Sequence, residues 1–550
     1  MDRFRRPAPL LNQSWGQPLD RVSLLVMLTL SIAIVAFLVL GDRTAPRVRD
    51  FSWQDQQIGA EDRAFILTFN RPMDHDSVEA NLQLHALVPN SDSRPIPGKI
   101  SWAGQRMAYT LENPAPYGYE FELILEQARD RFSRSDGAII DPFFARFRSR
   151  DRAFLYIGVD GEDEGHLILY NLTRKQKRVL TPKDLVVQDY ESYPDGDRVL
   201  FSATSRTAQR QGILDQKLYV VSTGLDNASL ATSTSDPAIA PDNGANATNG
   251  TNATNGANAT NDDIAPLPPP TLLLDSRDYQ NLSFDLSPDG QTIVVNRVNR
   301  QDPTDFGLWV LRPEQTPTPL ETEPGGDFLI APDSQTIAHL QGEGLALLPL
   351  DTPAQRPANR DDLTTMEPMD FLPRYGMVLN FSADGAKAAM VQFSSEQNQP
   401  KRSLFLVTNR GTEEELLVTS GSILDAQFDP TGRFLYCLVT QLQASEIYIE
   451  QPYLIAINLE TNERTDLLLL PQQQNIHMAV APDGLGILFD QIRSTVDPSE
   501  ATTLLRGDDG SLITSSQLWF FPISHDQHGK LVLAKPDNLP ISGFSPQWVP

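Results

Sequence analysis

Nineteen consecutive uncharged residues, Val22 to Leu40, form the one long apolar run in an otherwise alternating chain. At 1.5 Å per residue a helix over 22–40 would be about 28 Å long, close to the ~30 Å hydrocarbon core of a bilayer. Arg3, Arg5, Arg6 and Arg21 precede it, as a cytoplasmic flank should, although Arg43, Arg47 and Arg49 follow. A cleavable signal peptide would have a shorter apolar region, ~7–15 residues, ending in a small-x-small site. Leu38-Val39-Leu40-Gly41-Asp42 offers none. The expectation is a single-pass signal anchor at 22–40, a cytoplasmic tail at 1–21, and everything beyond it periplasmic or extracellular.

After the anchor the period changes to two. Phe65, Leu67 and Phe69 alternate with Ala64, Ile66 and Thr68. Tyr117, Tyr119, Phe121, Leu123 and Leu125 are opposed by Glu120, Glu122 and Glu126, giving one buried and one wet face. Pro and Gly punctuation between such runs over 46–149 predicts a β-sandwich of about seven strands.

The remainder repeats itself. Tyr-Pro-Asp-Gly stands at 193–196, Ser-Pro-Asp-Gly at 287–290 and Ala-Pro-Asp-Ser at 331–334. Ser-Ala-Asp-Gly follows at 382–385, Asp-Pro-Thr-Gly at 429–432 and Ala-Pro-Asp-Gly at 481–484. Each copy is preceded by a short, mostly apolar run and followed by a β-rich one. The motif suits a tight hairpin: Pro presets φ, Asp bonds nearby amides, and Gly takes the positive φ. A third strand comes later in each unit, as at 307–311, 403–407 and 517–521, and a weaker fourth closes it, as at 415–418. Four strands per unit of roughly 40–50 residues describe a β-propeller blade. Residues 154–158, 166–171 and 177–182 supply the second to fourth strands of a blade without a first, whereas 541–550 looks like a first strand alone. The two ends complete one another, so all-β architecture with a seven-bladed propeller over 152–550 is expected, a six-bladed ring with a stray tail being the alternative.

Two resemblances accompany this reading. The propeller repeats resemble the TolB-type family, whose blades carry Ser-Pro-Asp-Gly turns followed by β-rich strands; the likeness implies a fold, not an activity. The segment 46–149 resembles the bacterial Ig-like domains of S-layer and other envelope proteins. It is carried by the turn from Asn70 to Asp74 and the strand from Pro116 to Phe121. That family implies a spacer or adhesion module.

Composition narrows the function. Acids outnumber bases 71 to 45, a formal net charge of −26, which lacks the basic footprint nucleic acid requires. Cys437 is the one cysteine, so the fold uses no intrachain disulfide. An insert at 226–270, including GANATNGTNATNGANATNDD, is too polar to bury a core and is expected to be a disordered loop with a polyproline end. Asn246, Asn249, Asn252 and Asn258 stand in Asn-x-Thr sequons, for which low-complexity drift is the simpler explanation.

Candidate chemistry is thin. No Gly-x-Ser-x-Gly, His-Glu-x-x-His, P-loop or dinucleotide fingerprint occurs. His525 and His528 offer two imidazoles, and the acidic run 160–165 offers carboxylates, but a solvated turn and an exposed hairpin tip explain them better. His339 and His477 read as blade residues with no base or nucleophile paired to them. No catalytic, cofactor-binding or metal-binding residue is assigned and no cofactor is expected. The expected role is binding, with a propeller face presented to another envelope protein or polymer. A hydrolase or lyase with its site in the channel, and a purely structural stalk, are the alternatives.

Overall fold

The computed structural model describes residues 18–40, 45–87, 94–131, 138–225, 267–320, 322–342, 344–350, 369–396, 399–443, 449–472, 475–497, 505–507, 509–526 and 529–550. The tail at 1–17 and most of the insert, 226–266 with its sequons, lie outside them. An N-terminal helix runs over Pro18–Leu40. Among the described residues no helix is long and apolar enough to cross a membrane, so the structure does not support the transmembrane anchor expected at 22–40. The side chains that are described stand out from the protein, with Leu24 64%, Met27 71% and Ile32 59% exposed.

Residues 45–149 form two sheets. One orders Val48–Phe51, Ala64–Phe69, Arg106–Leu111 and Gly98–Ala103 side by side. The other orders Gln57–Ile58, Phe143–Ser149, Glu120–Leu125, Leu82–Leu87 and Arg94–Pro95. The two-residue alternation does what it predicts: Phe65, Leu67, Phe69, Phe121, Leu123 and Leu125 are buried in one shared core. The Asn70–Asp74 turn opens a short helix, His75–Asn81, which Asp74 caps by accepting from the Ser77 amide.

The rest is a β-propeller. Among the described residues seven four-stranded antiparallel sheets follow one another, and in each the strand order is sequential from the axis outward except in the first. The axial strands of the second to seventh sheets are Leu185–Ser192, Tyr279–Leu286, Gly325–Ile330, Met377–Phe381, Ile423–Phe428 and Met478–Val480. In the first sheet the axial strand is Gly543–Trp548, paired antiparallel to Ala153–Gly158, with Leu167–Asn171 and Gln176–Val179 outside it. The chain's end therefore supplies the strand missing from the start of the repeat. Gly543–Trp548 also lies against the axial strands of both the seventh and second sheets, which closes the ring.

All six turn motifs join the first strand of a sheet to its second. In each, the fourth residue's amide donates to the first residue's carbonyl, as Gly290 does to Ser287 at 2.7 Å and Gly484 to Ala481 at 2.8 Å. The aspartates at the third position accept amides just beyond the turn, Asp289 from Gln291 and Asp384 from Ala386. Ser334 occupies the glycine position at φ 57°, an uncommon conformation for a residue with a Cβ.

One turn aspartate does more. The Asp483 carboxylate, 5% exposed, accepts from the Tyr117 amide of the sandwich at 3.1 Å and pairs with Arg152 at the domain junction. Arg433 donates to the Asn113 side chain and Arg150 to the Pro550 carbonyl. The sandwich thus sits on the end of the propeller that carries the turns.

Ring closure predicts a measurable dependence on the last ten residues. Phe544, Trp548 and Val549 are 6%, 5% and 3% exposed, and burying a large apolar side chain contributes about 1.5–3 kcal/mol. Domains of this size have only ~5–15 kcal/mol of net stability. Deleting 541–550 should remove a large share of it, expose a sheet edge and give aggregating protein in thermal melts. Unchanged melting of the truncated chain would contradict closure through this strand.

Candidate functional site

At the end opposite the sandwich, strand connections converge on the axis and leave a cavity of about 600 Å³. The axial strands of the first, second, sixth and seventh sheets wall it, together with the loops holding Asn475 and Asp509. These positions face the cavity because axial strands diverge from one another around a ring, so no neighbouring strand covers them. Its polar lining includes Asp189, Asp425, Asp509, Asn475, Gln547 and His477, and its apolar lining Leu424, Ile476, Met478 and Pro546. Among the described residues no lysine or arginine lines it.

Its best-organised element is His477. The imidazole Nδ1 lies 2.7 Å from Oδ2 of Asp490, whose Oδ1 accepts from the His477 backbone amide at 2.8 Å. Asp490 also accepts from the Ser545 amide at 2.8 Å and is fully buried, so its oxygens meet two backbone amides and the imidazole rather than water. This overturns the expectation that His477 stands without a paired base. Asp490 sits within Gly486–Thr495, following Ile487, Leu488 and Phe489, all of them buried. A carboxylate inside an apolar strand was the available signal, because a buried charge demands a partner.

Asp425 and Asp509 illustrate opposite electrostatics. Burial raises the Asp425 carboxyl to about 6, against smaller opposing effects of a hydrogen bond from Gln427, the local amide and His477. For Asp509 burial also pushes upward, yet hydrogen bonds from Ser511 and Asn475 outweigh it and hold the carboxyl below its ordinary value. Tyr190 is locked by its hydroxyl to the Ser545 carbonyl and is pushed upward by burial first and by Asp189 and Asp490 next. The arrangement can bind donor-rich or cationic groups. It also brings one imidazole with a carboxylate partner and one carboxyl raised toward neutrality to the same cavity, the components of proton transfer.

The other sequence candidates are not brought together. His525 lies in the short strand Ser524–His525 at the turn-bearing end, its ring 5.1 Å from that of Phe434; His528 is outside the described residues. In the run 160–165, Gly161–Asp163 form a 3₁₀ turn and Asp163 pairs with Lys177 at 2.6 Å. His339 is buried in Thr336–Gln341 and burial lowers it to about 4, as a neutral core imidazole. Among the described residues no group of three or more metal-ligating side chains occurs.

A ring of radial four-stranded sheets with an axial cavity defines a β-propeller protein. No family model matches the sequence, and no curated protein matches it. By structure it is similar to TolB from Acinetobacter baumannii, at 11% identity and TM-score 0.35 over 68% of this chain and 80% of that one. It is also similar to a putative TolB from Agrobacterium tumefaciens (12%, 0.32, 59% and 91%). An oligogalacturonate lyase in complex with manganese gives 13%, 0.39, 59% and 79%. Likeness at this level concerns the fold alone, and activity has to be argued from the site.

The Asp425 environment predicts a pH effect with a definite sign. Its folded value, about 6, lies above the ordinary ~3.9 of aspartate, so the protonated carboxyl is the form the fold favours. That contribution is fully present below about pH 4 and lost as pH rises through about 6, a change on the order of 3 kcal/mol. Asp425→Asn should therefore unfold near wild type at pH 4 and be distinctly more stable at pH 8. Parallel stability–pH curves for the two proteins would show that the fold does not raise the Asp425 carboxyl.

Proposed function

We propose that this chain is a binding module of a cell envelope: a seven-bladed TolB-type propeller carried on an Ig-like sandwich, held at the membrane through 22–40. Its open cavity engages a positively charged segment of a protein or polymer partner. The observation that carries the reading is polarity between the two ends. The sandwich occupies the turn-bearing end through Asp483, Arg433 and Arg150, and the opposite end keeps a cavity whose described lining has three carboxylates and no lysine or arginine. Apolar contacts from Leu424, Ile476 and Met478 beside those carboxylates suit the aliphatic stems of lysine or arginine.

Titration calorimetry with oligolysine and oligoglutamate peptides tests the reading. Oligolysine should bind, with affinity falling as salt rises, and an Asp189→Asn, Asp425→Asn, Asp509→Asn variant should lose most of that binding while staying folded. Equal binding by the variant, or a preference for oligoglutamate, would remove the cavity from the proposal.

Membrane attachment rests on the uncharged sequence from Val22 to Leu40 and on a helix whose described side chains are uncharged, mostly apolar and exposed, a character that suits a nonpolar surrounding. Protease added to intact cells or spheroplasts should digest the propeller and spare the extreme N-terminus. Protection of residues 50–550 would reverse the assigned orientation.

The His477–Asp490 pair favours one second reading, a hydrolase or lyase acting in the same cavity. Turnover of a generic ester, peptide or glycoside that vanishes in Asp490→Asn would favour it over the binding module.

A further inference from the structure

Adjacent sheets of the propeller are tied by a repeated device. At four junctions the residue two places before a turn motif extends its side chain to the backbone amide one place before the next motif. Gln427 accepts from the Val480 amide at 2.9 Å, and Asn380 accepts from the Phe428 amide at 3.3 Å. At the other two the tie is a carboxylate instead: Glu191 accepts from the Leu286 amide at 2.9 Å, and Asp285 from the Ile330 amide at 2.5 Å. The same geometry is thus built twice with a neutral amide and twice with an acid.

The two acids are neighbours by construction. Glu191 reaches the amide of Leu286, the residue next to Asp285, so one clasp ends where the other begins. Asp189 on the same axial strand as Glu191 adds a third carboxylate facing both. The other groups near Glu191 are Tyr193, with Arg198 stacked over its ring at 4.2 Å, and the strand Arg198–Ser205 behind it, uncharged beyond Arg198, where Leu200 is the direct register partner of Glu191.

We propose that these two carboxylate clasps are proton-operated, tightening the junctions on both sides of the third sheet when a proton is taken up and loosening them when it is lost. One proton on the pair removes the repulsion while each carboxyl keeps an oxygen to accept its amide. With both ionised, two negative charges must share one partly buried site. Burial pushes both carboxyls upward, Asp285 adding to the effect on Glu191 and Asp189 to that on each. The protonated form is thus favoured by folding. Its contribution is complete below the ordinary carboxylate range and is lost as pH rises through the raised values. The inference concerns the ring itself and does not depend on what the cavity binds.

The full chain tests it through amide hydrogen exchange and thermal melting between pH 5 and pH 8. In wild type, exchange at Leu286 and Ile330, corrected for the intrinsic pH dependence, should be about tenfold faster or more at pH 8. The amide of Phe428, held by Asn380, is the internal control and should not change. In Glu191→Gln with Asp285→Asn the pH effect at Leu286 and Ile330 should vanish; both amide side chains already serve this role elsewhere in the ring, so folding is retained. Asn380→Asp should create the effect at Phe428. Equal pH responses at Leu286, Ile330 and Phe428, or an unaltered response in the double variant, would overturn the proposal.

Discussion

Everything in the propeller depends on one long-range pairing, Gly543–Trp548 against Ala153–Gly158. Without it the first sheet has no axial strand, and the seventh and second sheets lose the strand that lies between them. The contact is made by more than backbone. Trp548 donates its indole N–H to the Ala479 carbonyl of the seventh sheet at 2.9 Å while its ring meets Phe154 of the first edge to face. One side chain therefore links two sheets across the seam. Because its partners are almost four hundred positions apart, this pairing closes a very long loop, whose entropy must be offset by the whole ring rather than by the strand alone.

A closed ring has a second consequence, for polarity. Radial sheets pack apolar faces against each other, as in the clusters around Leu435, Cys437 and Ile455, and leave their axial edges unpacked. Polar side chains at these edges tie neighbouring sheets and also surround whatever space remains. Acids are prominent among them. Carboxylates at these edges accept from amides, so hydrogen bonds favour their charge while burial opposes it. The same environment that holds the ring together thus sets the chemistry of its cavity.

Much of the fold was legible because its signals are local and repeated. A turn needing Pro, Asp and Gly in sequence recurs from sheet to sheet, and period-two alternation identified the faces of Ala64–Phe69 and Glu120–Leu125. Pairing of the chain's ends was legible too, since an unmatched first strand and a strand-deficient start are complementary. The site was not. His477 and Asp490 are separated by a strand, a turn and half of another strand, and only the antiparallel fold-back brings them within 2.7 Å. Asp483 looked like its equivalents in the other turns, and its role in seating the sandwich depends on Tyr117 and Arg152, far away in sequence. Repetition reveals what the copies share; function lies in the departures.

Those departures are not scattered evenly. Asp483 belongs to the seventh sheet, and so do His477, Asp490 and Asp509; Trp548 docks on the same sheet from the first. One sheet therefore seats the sandwich at its turn-bearing end, lines the cavity at the other, and forms the seam of the ring between them. Gly486–Thr495 runs continuously from the neighbourhood of Asp483 to Asp490, and its first seven residues are buried except Gln491. A rigid, packed strand joining the two ends means that the orientation of the sandwich and the geometry of His477 are fixed by the same element. Displacing the Asp483 contacts would be felt through this strand before any other part of the propeller, which makes the seventh sheet the place where the sandwich at one end and the cavity at the other are physically joined.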